Sequence, residues 1–186
     1  TLSSLLFIII LSAFGLFLLS YKGYKKDRQT EQISDDFLTN IGGLAALVVV
    51  AIPTVCKGSM SSSINVLCES KAYPLFGHDN ASLNTIHLVS AGIFILCMGW
   101  MSKYKFTRGH KPLHNKIYRQ CGNVVFGAIG FLIGGSLLQH FEINFLINDY
   151  YVFIFESIAI FAFGLSWLIK GEAIENIMAV KDRMLK

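Results

Sequence analysis

Three side chains could do acid–base or ligand chemistry from within apolar sequence: His87, His140 and Glu156. An ionisable group in such a run costs about 2.5–3.5 kcal/mol or more at the centre of a bilayer unless it faces protein or water. A carboxyl and two imidazoles at similar depth could bind a proton, a cation or a lipid headgroup. The plain alternative is a hydrogen bond between helices, worth about 0.6 kcal/mol. With a metal ion, of undefined identity here, the same three could form a minimal hydrolytic site. The sequence has no Gly-rich phosphate loop, no His or Cys set with zinc spacing and no GxSxG nucleophile, which disfavours a familiar enzyme. A non-enzymatic reading without cofactor follows.

Other polar residues read as supports. Cys56 and Cys68 lie in CKGSMSSSINVLC, where a disulfide would close a loop of about a dozen residues. Cys97 and Cys121 lie in or beside apolar runs and are expected to be free thiols. Tyr118, Arg119 and Lys170 are expected to contact headgroups at the inner face, because long cationic side chains snorkel and aromatic rings settle at the interface. A basic pocket between helices also suits an anionic lipid.

The elements that must position these groups are membrane helices. The chain is 53% hydrophobic and 15% charged, with mean hydropathy +0.54, more apolar than a soluble domain of its size. The net charge of +4 describes topology rather than nucleic-acid binding, since the cations sit in short blocks between apolar runs. Five runs suit spans: Leu2 to Ser20, Phe37 to Val55, Leu83 to Met101, Gly122 to Leu138 and Tyr150 to Ile169. They are continuous rather than alternating, so helices are expected and not a barrel. Segments 21–36, 102–120 and 170–186 hold nearly all the Lys and Arg, whereas 56–82 holds two and 140–148 none. Basic connections stay in the cytoplasm. The expected fold is therefore an all-α polytopic transmembrane bundle over residues 1–171, with a cytoplasmic amphipathic tail at 172–186. Residue 1 falls outside, which suits a sixth span upstream.

Gly130 and Gly134 form a small-xxx-small face in the fourth run, and Gly42, Gly43, Ala45 and Ala46 line the second. Such faces pack closely on other helices, within the chain or in a homo-oligomer. The functional expectation is an integral membrane protein with a buried outer-side polar site for a lipid, a small ligand or a signal. The alternatives are an oligomeric pore-forming or membrane-perturbing effector and a metal-dependent membrane hydrolase.

The blocks YKGY, LTNIGGLAALVVVAIPT, IHLVSAGIFILCMGW with KFT, HNKIYRQCG and FESIAIFAFGLSWLIKGE, in that order, resemble an uncharacterised family of small bacterial polytopic membrane proteins. That family follows a YKGY-type turn with SNIAG-ALFPT, RNRIYRVCG and AFGISWLVKGE-like blocks. The likeness covers most of the chain. Three departures stand out: Ala51-Ile52 precedes Pro53-Thr54 where Leu-Phe is usual, His114 replaces a basic residue, and the tail is longer. The resemblance implies architecture, a bacterial inner-membrane location and often a further helix ahead of the YKGY block. It implies no activity.

Overall fold

A computed structural model describes residues 2–23, 33–52, 81–108, 111–141 and 151–172. Among these, all regular structure is helical: α1 (Leu2–Ser20), α2 (Asp35–Ala51), α3 (Ala81–Trp100), α4 (Pro112–His140) and α5 (Tyr151–Lys170). α3 runs on through a π-turn (Met101–Lys105) and a 3-10 turn (Phe106–Arg108). Three helical stretches, Ser82–Arg108, Pro112–Leu138 and Tyr151–Lys170, are long and apolar enough to cross a membrane. α1 has 19 residues and α2 has 17. Cys56, Cys68 and the tail beyond Glu172 lie outside the described residues.

The chain forms two compact units, Thr1–Phe94 and Ile95–Lys186. In the first, α1 is apolar on all sides, as suits a helix surrounded by lipid or protein. α2 begins where the Ser34 hydroxyl accepts from the Phe37 N–H at 3.2 Å, and Asp35 and Asp36 meet the positive end of the helix. Asp36 also accepts from the Gly23 N–H at 2.9 Å, tying the chain after α1 to the start of α2. The helix stops at Ala51, and Ile52 is extended, the conformation that a following proline imposes.

α1 and α2 cross where Gly15 meets Gly43. A Cβ on Gly43 would lie 2.7 Å from the Gly15 carbonyl oxygen and 2.8 Å from Leu19 Cγ, so the two backbones touch. Leu18, Leu38, Ala45, Ala46 and Val49 are buried around this crossing. The small-residue face expected of the second run is used here.

In the second unit, the end of α3 and the start of α4 form an antiparallel hairpin. A Cβ on Gly122 would lie 2.6 Å from Lys103 Cβ and 3.0 Å from the Gly99 carbonyl oxygen, so only a residue without a side chain fits this approach. α5 returns along α4, with the Phe131 and Phe155 rings stacked at 4.8 Å and the Tyr151 ring lying over Gly135. After Lys170 the Gly171 N–H donates to the Trp167 carbonyl at 2.8 Å, and Glu172, at φ 55, closes the helix in the left-handed region.

One expectation differs from this picture. The basic segment 102–120 is not a loop. Residues 101–108 extend α3 and residues 112–120 are the first turns of α4, because Pro112 is preorganised for a first helical position and its missing N–H would have no partner there anyway. Within this chain, a Cβ on Gly130 or Gly134 would meet nothing within 4 Å, so their small-residue face is not used between the described helices. The close helix contacts of this unit are made at Gly99, Gly122 and Gly135 instead.

Substitution at two glycines distinguishes filled from open faces. Gly43→Ala is expected to destabilise the protein by about 1–3 kcal/mol through overpacking. Gly127→Ala, whose Cβ enters open space, should stay within about 0.5 kcal/mol of the parent. Denaturant unfolding in micelles, followed by circular dichroism, measures both. A loss at position 127 with none at 43 would contradict the crossing.

Candidate functional site

The three residues first singled out are distributed over two units. His87, one to two turns into α3, belongs to the first, and its Nδ1 pairs with the carbonyl of Ile52, the residue that ends α2. A carbonyl only accepts, so this nitrogen carries the proton. The contact satisfies a helix-end carbonyl that its own helix leaves open. Glu156 belongs to the second unit, in α5, and is half-buried. His140 is the last residue of α4, and its side chain lies outside the described residues.

The inner residues come together within the second unit. Three helix ends meet at Phe106, on the 3-10 turn, which is 4% exposed. Its ring lies edge-on to Tyr118 of α4 at 5.8 Å and to Trp167 of α5 at 5.4 Å, and stacks on Phe163 at 6.2 Å. Lys170, at the end of α5, donates from Nζ to the Phe106 carbonyl at 3.5 Å. Tyr118, expected at the headgroups, is instead 4% exposed, because this cluster needs its ring to seal the start of α4 against α3. Arg119 is exposed one residue further on.

The π-turn before Phe106 explains how cations gather here. A π-turn admits one residue more than α-helical spacing and recurs at functional sites. Ser102, fully buried on it, donates to the Tyr118 carbonyl at 3.0 Å, and the Thr107 hydroxyl returns to the Lys103 carbonyl at 3.1 Å. On the same turn Lys105 is 7% exposed, while Lys103 lies 5.6 Å over the Phe126 ring. Residues 101–119 hold six Lys and Arg and no Asp or Glu. The only acid the described contacts bring in is Glu172, 3.6 Å from Lys111. Both partners are exposed, so the pair contributes little.

This arrangement is a cationic end on an aromatic floor. It can hold an anion by charge and by hydrogen bonds from ammonium and guanidinium groups. Among the described residues, no group of three or more His, Cys, Asp or Glu could hold a metal ion. Cys97 and Cys121 are free and buried. The buried Lys105 and the Ser102 link escaped sequence reading. Their signal was a serine and a lysine three residues apart at the end of an apolar run, which ordinary α-helical spacing reads as the start of a loop.

Fold and site together define the class as a helical protein that has, among the described residues, three helices long and apolar enough to cross a membrane. Comparison with protein-family models, characterised proteins and solved structures found no match.

The hub can be tested by truncation. Phe106→Ala is expected to lower stability by about 3–5 kcal/mol, as for a core aromatic. Leu113→Ala, at a position 69% exposed, should change it by about 0.5 kcal/mol or less. Thermal unfolding in the same detergent compares the two, and equal effects would deny Phe106 its role.

Proposed function

We propose that this chain is a multi-pass protein of a bacterial inner membrane that holds anionic lipid at the cytoplasmic end of its helices and catalyses no reaction. Five spans, with residues 102–120 and the C-terminus on the cytoplasmic side, are the topology adopted here. The bacterial assignment follows the family resemblance described above.

The observation that carries the reading is the basic end of the second unit. Of the six cations within residues 101–119, five stand on helical turns and Lys111 lies immediately before α4, while Lys170 joins them from α5. Anionic headgroups attract such clusters by about 1 kcal/mol per cation near the surface. α4 supplies the reach. Its 29 residues make it about 43 Å long, against a hydrocarbon core of about 30 Å. The first turns, with Lys116 and Arg119 exposed, therefore stand among headgroups while the apolar remainder spans. The outer polar site has less support, since His87 already serves Ile52.

Two measurements test this reading. Replacing Lys116 and Arg119 together by Gln removes about 2 kcal/mol of attraction, so phosphatidylglycerol should bind about 30-fold more weakly, with phosphatidylcholine unchanged. Lipid retention by native mass spectrometry reads the ratio. An equal fall for both lipids, or none, rejects anionic recognition. For topology, a cysteine placed at Leu113, after replacement of the four native cysteines, should react with a membrane-impermeant maleimide in inverted vesicles and not in intact cells. The reverse pattern overturns the assigned orientation.

A further inference from the structure

We propose that Glu156 is an intramembrane proton site, reached by water from the Tyr151 end of α5. It is the one acidic residue of that helix, five residues after Tyr151, about 8 Å along the axis. Positions 156, 159, 163, 166 and 170 recur at spacings of three and four. Glu156 therefore sits at the edge of the stripe on which Ala159, Phe163 and Ser166 are buried, whereas Phe161 and Leu165, on the far side, are exposed. Its carboxyl is thus directed along the packed side of α5 rather than straight into lipid.

The facing stretch of α4 is apolar. The Phe131–Phe155 stack sets the register of α4 on α5, and around that level α4 presents Ala128, Ile129, Leu132 and Gly135, none of them titratable. The titratable residues at that end of the two helices are Tyr151, whose hydroxyl lies 3.5 Å from that of Ser136, and His140 in the last turn of α4. Among the described residues of this unit, no ion pair or hydrogen bond engages the Glu156 carboxyl. A carboxylate without a counter-charge is poorly solvated in such a setting, and the neutral acid is not. Taking up and releasing one proton is the exchange open to this group. It needs no metal and no second reactant.

The inference rests on α5 crossing a membrane and is independent of the basic inner end. Dicyclohexylcarbodiimide, which partitions into lipid, reports the acid form. The acid proton passes to one carbodiimide nitrogen and the carboxyl oxygen bonds to the central carbon. The acyl group then shifts from oxygen to nitrogen, leaving a stable N-acylurea with no leaving group. Glu172, exposed and beside Lys111, is the internal reference.

In phosphatidylcholine vesicles, peptide mass spectrometry should show Glu156 labelled about tenfold or more faster than Glu172. Labelling should slow as pH rises and be unaffected by sodium at fixed pH. A water-soluble carbodiimide should invert the order, and Glu156→Gln should remove the label from that peptide. Failure to label Glu156 in vesicles, when it labels after unfolding in dodecyl sulfate, overturns the proton site. Protection by sodium at constant pH overturns it in favour of a metal cation. If both reagents label Glu156 equally, it is the membrane placement of α5 that fails.

Discussion

In an apolar slab a backbone amide has no water to turn to, and each N–H or C=O left without a partner costs several kcal/mol. Helices meet that demand along their length and fail to meet it at their ends. Much of the polar chemistry described for this chain is spent at those ends. Ser34 accepts an amide at the start of α2, His87 serves the carbonyl of Ile52 where α2 stops, Lys170 reaches the carbonyl of Phe106, and Thr107 returns to that of Lys103. His87 and Lys170, which stand out in the sequence as a potential ligand and a headgroup contact, are thus groups that help an apolar helix to end.

The same constraint governs packing. Because lipid tails are as apolar as leucine, helices gain little by hiding hydrophobic side chains from one another, and close backbone approach has to supply the attraction. Gly43 against Gly15, and Gly122 against Lys103 and Gly99, are the places where this happens. A glycine pair at spacing four does not by itself mark a contact within the chain. Gly130 and Gly134 satisfy the pattern and meet nothing on their open side, whereas Gly122 has no glycine four residues on and makes the tightest contact in the hairpin. What selects the contact is the neighbour across the interface, which spacing along one helix does not encode.

That distinction marks how much was legible in the sequence. The positions of the apolar runs follow from hydropathy, and the described helices match them to within a few residues for α1, α2, α3 and α5. The stop of α2 was readable because Pro53 restricts Ile52. The extent of α4 was not. Residues 112–120 are polar, so a hydropathy window ends before them, although a helix needs no apolar side chains once it stands among headgroups. Tyr118 shows the same limit at the level of one ring: aromatic residues beside a span commonly sit at the interface, but Phe106, Phe163 and Trp167 converge on this one and bury it. The π-turn at 101–105, on which Lys105 is buried, has no sequence signature of its own.

A lysine only 7% exposed would be hard to account for at mid-membrane, and its level in the unit supplies the reason it is tolerated. Lys105 lies one residue before Phe106, where three helix ends meet and helix-end carbonyls are concentrated. Such carbonyls form the negative pole of a helix, and cations placed there are stabilised. α3 and α5 both end at this level and thus direct two negative poles toward the cations of residues 103–108 and Lys170, while α4 begins there and opposes them with one positive pole. Two of the three helix poles at this level therefore favour cations here. At this level Lys170 also engages the Phe106 carbonyl at the end of α3, so removing its charge would loosen that helix end.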